Sequence, residues 1–215
     1  MKEVSFFIRI DEYCRKMKKV FKLITLCLIV IMITGCSFFT IENTHIEYLK
    51  GKYYAEMKIA KYGIIEMELD ADTAPITVTN FMNLVDEGFY DGLYIHRVFK
   101  DFVIQGGEGT TPKDTIKGEF DANGVSNDIS HVRGTVSMAR AGDTTTGFDT
   151  ASTQFFIVQK DSPSLDHYYA GFGKVTKGMD VVDKICNTVK TVDKNGMILN
   201  EDEMPIIEYI KKIEK

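Results

Sequence analysis

The stretch "YIHRVFKDFVIQGGEG", residues 94–109, decides how this chain is read. Ile95, Val98, Phe99, Phe102, Val103 and Ile104 supply apolar bulk on both sides of Lys100-Asp101, which predicts two short strands joined by a tight turn and bound for a core. Arg97 stands inside that pattern. A guanidinium has five donors and a charge that does not titrate away at ordinary pH, and burying it without a partner costs several kcal/mol. Something must therefore meet Arg97.

Working outward, "YYAEMKIAKYGIIEMELD" (53–70) alternates on both sides of Lys61-Tyr62-Gly63 and predicts strands over about Tyr54–Ala60 and Ile64–Leu69. In "TAPITVTNFMNLVDEGFYDG", Pro75 suits a first helical turn and Gly88 a stop. Ile76, Phe81, Leu84 and Val85 recur at helical spacing between them. Gly106 to Gly134 is polar and aperiodic and reads as a long loop, as does the Thr-rich "AGDTTTGFDTAST". Strands resume at "GTVSMAR", "QFFIVQ" and "GFGKV", a helix at "KGMDVVDKI", and after a turn at Asn195-Gly196 a closing strand at "MPIIEYIKKI". Hairpins in place of βαβ units point to a mainly β fold, a closed antiparallel barrel capped by two helices.

The 215 residues, 44% apolar and 27% charged, suit one domain plus a short extension. Residues 1–35 carry seven Lys/Arg and three Asp/Glu, which leaves 19 basic and 28 acidic residues in the remainder, a balance of −9. That balance argues against a nucleic-acid partner. Of the four cysteines only Cys186 lies inside the globular part, so a disulfide framework is excluded there, and "VVDKICNTV" places it at an apolar helical position.

The N-terminal segment reads as an address. Three lysines precede an uncharged run, Leu23 to Thr34, that is short for a bilayer span and ends in small residues, the pattern of a signal peptide over 1–35. "ITGC" (33–36) resembles the bacterial lipobox, which implies a lipid attached to Cys36, a tether over 36–52 and a domain over 53–215. The alternative is an uncleaved anchor, since apolar character continues through Phe38, Phe39 and Ile41. Residues 1–16 fit neither pattern, and Met17 is the expected start.

His45, His96, His131 and His167 show no metal-ligand spacing, and G-x-S-x-G and P-loop motifs are missing, so metal, hydrolase and nucleotide chemistry find no support in the sequence. His96, next to Arg97, is expected on the opposite face in a structural hydrogen bond, and Phe155 in the core opposite Phe156.

Four blocks, "YIHRVFKDFVIQGGEG", "HVRGTVSMARA", "STQFFIVQ" and "LDHYYAGFGKVTKGMDVVDKI", resemble in order and spacing the signature blocks of the cyclophilins, the peptidyl-prolyl cis/trans isomerases; the likeness runs from about Tyr54 to Ile213. The resemblance implies an eight-stranded antiparallel barrel with two helices and a rotamase needing no cofactor or metal. It implies Arg97 as the catalytic residue, with Phe102, Val103, Phe156 and Leu165 lining a proline pocket. It further implies that Gln105 orients Arg97 or bonds the substrate, and that Ala139, Arg140 and Gln154 border the peptide backbone. Tyr169 stands where many members have histidine, and Ser164 where animal members that bind cyclosporin strongly have tryptophan. The loops at 107–116 and 141–152 differ in length from common forms, and Arg140 is usual in bacterial members. The expected partners are proline-containing exported polypeptides outside a bacterial membrane; the alternative is a surface proline-peptide binding or scaffold module with incidental catalysis.

Overall fold

Alternation about Lys61-Tyr62-Gly63 produces the first hairpin. β1 (Lys52–Ile59) and β2 (Gly63–Asp70) pair antiparallel, with Ala55 opposite Met67 and Met57 opposite Ile65, all four buried. Lys61 and Gly63 close the turn at positive φ, 66° and 139°. The structure is a computed structural model and describes residues 17–19, 22, 47–143 and 145–215. The expected signal segment, lipobox and Cys36 lie outside the described residues, apart from 17–19 and 22. Among the described residues no helix is long and apolar enough to cross a membrane.

The compact unit runs from Glu47 to Lys215. Residues 47–52, expected as the end of a tether, belong to it: the Leu49 amide donates to Thr79 Oγ1 (2.8 Å) and the Gly51 amide to Asp72 Oδ1 (2.8 Å). The tether expectation therefore runs several residues too far.

Next come α1 (Pro75–Asp86), β3 (Ile95–Phe99), β4 (Val103–Gly106), β5 (Thr135–Met138), β6 (Phe155–Val158), β7 (Gly171–Lys177), α2 (Met179–Thr188) and β8 (Ile207–Lys212). The eight strands form one antiparallel sheet in the order β3-β4-β6-β5-β7-β2-β1-β8. The expectation of a closed barrel is corrected: the sheet curls but stays open, because β3 and β8 share no ladder. One isolated bridge, Tyr94↔Ile206, lies between the segments that lead into them. The free side of β3 is taken instead by the turn at residues 193–198, where Val98 N–H donates to Gly196 O (2.8 Å) and Ile198 N–H to His96 O (3.0 Å).

Phe81 on α1 packs into the concave face, its ring 5.5 Å from Phe155 and 5.3 Å from Phe172. On α2, Val181, Val182, Ile185 and Cys186 are buried, and burial pushes the Cys186 thiol up to about 11, so it is an inert packing group. α1 starts without a side-chain cap from Ala74. Its first free amides are met from the distant loop, where the buried Glu119 carboxylate accepts from Ile76 N–H (3.0 Å) and Thr77 N–H (2.8 Å). Glu119→Ala leaves those donors unpaired and is expected to lower the unfolding free energy by about 1–3 kcal/mol in urea titration. Unchanged stability would mean that water replaces the carboxylate at no cost.

Candidate functional site

Period-two alternation sends Ile104, Phe155 and Ile157 into the main core, and Val103, Phe156 and Val158 to the convex face. There the last three form a second, smaller apolar cluster, joined by Phe102, Ala139, Leu165 and Tyr169. Phe155 and Phe156 thus part as expected. A cleft of about 150 Å³ opens over this cluster, lined by Arg97, Phe102, Val103, Gln105, Ala139, Arg140, Phe156, Leu165 and Tyr169. Gln154 lies in a neighbouring cleft of about 300 Å³ that shares Gln105, Ala139 and Arg140 with the first. The fold thus brings together residues that are more than seventy positions apart in the chain.

Arg97 is half-buried at the edge of the apolar floor, and its guanidinium is held from two sides. Nη1 donates to Gln105 Oε1 (3.0 Å) on the paired strand β4, and Nε donates to Asn195 O (2.8 Å) in the turn that covers β3. Gln105 is itself fixed, since its Nε2 donates to Gln154 Oε1 (2.8 Å). No carboxylate lies within ion-pair distance of Arg97 among the described residues. Burial pulls the guanidinium pKa down, but an arginine remains charged. Two of five N–H donors are committed, so a fixed cation with donors to spare stands beside an apolar hollow. The Phe102 ring centroid is 5.8 Å from Arg97 Cζ.

Nothing in the sequence marks Asn195 beyond the turn legible at Asn195-Gly196. Its contribution is a backbone carbonyl, which every residue type carries.

A second unanticipated feature underlies the floor. His131, almost fully buried, stacks on Phe156 with centroids 6.0 Å apart and makes an edge contact with Tyr169 at 6.5 Å. Its Nδ1 is 2.9 Å from Asp166 Oδ1 and its Nε2 2.9 Å from Ser137 Oγ. A carboxylate only accepts, so Nδ1 carries the proton, and the bare Nε2 accepts from the Ser137 hydroxyl. This is the hydrogen-bond order of a nucleophile and its base, yet Ser137 is fully buried, and the set serves as a rigid polar layer.

Burial lowers the His131 pKa below its ordinary 6.5, against the raising influence of Asp166. The unfolded chain then takes up the proton at higher pH than the folded one. The stability supplied by this layer is complete above pH 6.5 and is lost as pH falls through the lower folded value. His131→Gln is expected to flatten the fall of the thermal midpoint below that pH. His96, also buried and lowered, acts in the same direction and persists in the variant. An equally steep fall in both proteins would exclude His131 as a source.

His96 points away from the cleft, as expected, but the structural hydrogen bond does not form. Nδ1 has no partner among the described residues, and Nε2 is 3.9 Å from Glu108 Oε2, beyond bonding reach.

Known proteins resemble this chain in sequence and in fold. The family model "Cyclophilin type peptidyl-prolyl cis-trans isomerase/CLD" matches residues 54–208. Peptidyl-prolyl cis-trans isomerase A of Dickeya dadantii is 42% identical over 166 residues, covering 71% of this chain and 80% of the relative. Peptidyl-prolyl cis-trans isomerase B of Bacillus subtilis is 44% identical over 128 residues, covering 57% of this chain and 83% of the relative. Among solved structures, a cyclophilin-type isomerase of Cryptosporidium parvum superposes with a TM-score of 0.65 at 24% identity, over 77% of this chain and 99% of that one.

Proposed function

Because the chain belongs to the cyclophilin-type peptidyl-prolyl cis-trans isomerases, we propose that Arg97 is its catalytic residue, acting on X-Pro bonds of exported polypeptides from a lipid anchor at Cys36. The observation that carries the catalytic part is the doubly held guanidinium at the rim of an apolar cleft.

Rotation about a peptide C–N bond is opposed by about 18–20 kcal/mol because the nitrogen lone pair is shared with the carbonyl. Uncatalysed X-Pro isomerisation accordingly takes about tens to hundreds of seconds. At the twisted transition state the prolyl nitrogen recovers a localised lone pair, and a guanidinium N–H can donate to it. The planar ground state offers no such acceptor, so the hydrogen bond lowers the barrier selectively, by about 1.4 kcal/mol for each tenfold in rate. Gln105 and Asn195 hold the fork still, which spares reorganisation at the moment of reaction. Phe102, Val103, Phe156 and Leu165 supply a dry seat for the proline ring, Tyr169 a wall, and Ala139 and Gln154 the border along the substrate backbone.

The location rests on the sequence: lysines, an apolar run, then Ile33-Thr34-Gly35-Cys36. Two or three acyl chains hold a protein at a membrane where one does not, at about 0.8 kcal/mol per buried methylene. Cys36→Ala, expressed in a bacterial cell fed radiolabelled palmitate, is expected to lose the label and leave the membrane fraction. A variant still labelled and still sedimenting with membranes counts against lipidation at Cys36.

A further inference from the structure

Arg140 follows β5 and lies between the two clefts. A free guanidinium there would be a natural hand for the substrate backbone, but this one is engaged with the protein itself. Nε donates to Tyr168 O (3.0 Å), Nη1 to Thr146 O (2.8 Å) and more weakly to Ala141 O (3.5 Å), and Nη2 to Asp143 O (2.7 Å). One N–H of the five is left.

The guanidinium also sits among aromatic rings, 4.8 Å from the centroid of Tyr169 and 5.3 Å from those of Phe120 and Phe148, which meet each other edge to face at 5.5 Å. A single side chain thereby ties three separate pieces of backbone: the end of β5, the exposed loop after it, and the segment bearing Tyr169. The far end of the loop is held independently, by Asp149, which accepts from Gly118 N–H and Asn123 Nδ2, and by Ala151 O, which accepts from Ile116 N–H. At its near end Asp143 Oδ1 bonds Thr145 and Thr146, and the carbonyls of Asp143 and Thr146 are tied to the body through Arg140.

We propose that Arg140 is a positioning residue: its guanidinium fixes Tyr169 and the loop after β5 as one wall of the groove, and so sets how tightly a prolyl peptide is held, without itself binding the substrate. The inference rests on the isomerase reading of the groove. A wall that is equally placed for the planar and the twisted peptide changes binding of both alike, so its loss raises KM and leaves kcat nearly alone. Lysine is not a substitute. It keeps the charge but offers a compact ammonium in place of a planar fork, and cannot serve carbonyls on three sides while lying on a ring.

The test is a double-mutant cycle on the purified full chain, with a tetrapeptide prolyl substrate and kcat and KM measured separately. Arg140→Ala is expected to raise KM about tenfold with kcat within about twofold of the parent. In a Tyr169→Ala background the same change is expected to raise KM less than about twofold further, because the wall it served has gone. Arg140→Lys is expected to follow Arg140→Ala and carries the readout if the alanine variant does not fold. A parental KM in either variant, an undiminished tenfold rise in the Tyr169→Ala background, or a loss confined to kcat would each overturn the proposal. A parent chain without turnover would instead defeat the isomerase reading of the groove.

Discussion

Arg97→Ala is expected to cost about a hundred- to a thousandfold in kcat, the range seen when one preorganised donor to a developing charge is removed. The dissociation constant for a prolyl peptide should change by less than about threefold, since the planar amide nitrogen accepts no hydrogen bond and the guanidinium contributes little to ground-state binding. Arg97→Lys is expected to lose almost as much. The present side chain uses Nε on Asn195 O and Nη1 on Gln105 Oε1, two bonds in one plane that fix the remaining donors, and an ammonium cannot reproduce that fork. A protease-coupled prolyl assay beside an NMR titration of the same peptide separates the two quantities. Turnover in Arg97→Ala equal to the parent's would sink the mechanism, whatever became of affinity.

The second large effect is expected from a residue that never touches the cleft. Gly196 has φ +82°, a conformation that costs a residue with a Cβ about 1–2 kcal/mol, and a Cβ placed there would lie 2.9 Å from Val98 O and 3.0 Å from Phe99 Cβ. Both contacts are on β3, the strand that carries Arg97. The preceding carbonyl, Asn195 O, is the acceptor for Arg97 Nε. Gly196→Ala must therefore lift the turn away from β3, and the acceptor moves with it. The expected result is a loss of about 2–4 kcal/mol in unfolding free energy together with at least about a tenfold fall in kcat. Gly124→Ala is the matched control. Its φ is +75°, but an added Cβ meets nothing within 4 Å, so it should show the conformational cost of about 1–2 kcal/mol and parental turnover. If Gly196→Ala kept parental kcat while losing stability, the turn would be a cover for the strand edge and no part of the arginine's support.

These effects bear on how much of the protein could be read before its fold was seen. The hairpin of β1 and β2 and the opposite fates of Phe155 and Phe156 follow from period-two alternation, a property of a few consecutive residues. Pro75 and Gly88 bracketed the first helix through local backbone preferences, but the cap on that helix is Glu119, more than forty residues away, and no local signal marks it. Only the resemblance to a family marks the cleft residues in the sequence; periodicity alone leaves Val103 and Phe156 as ordinary core. Arg140 was expected to border the substrate backbone. It does line the cleft, but its donors face the protein's own carbonyls, a fact that residue type cannot disclose.

By itself, then, the sequence determined a mainly β unit with two helices over residues 47–215, the faces of its strands, and an arginine too costly to bury without purpose, because each of these depends on side-chain chemistry acting over a handful of neighbours. The tertiary structure alone decided that the sheet stays open, that His131 bridges Asp166 and Ser137 beneath the floor, and that Asn195 steadies Arg97. Those outcomes are set by which backbone groups and distant side chains the fold brings within about 3 Å of each other, and a carbonyl oxygen is the same atom on every residue.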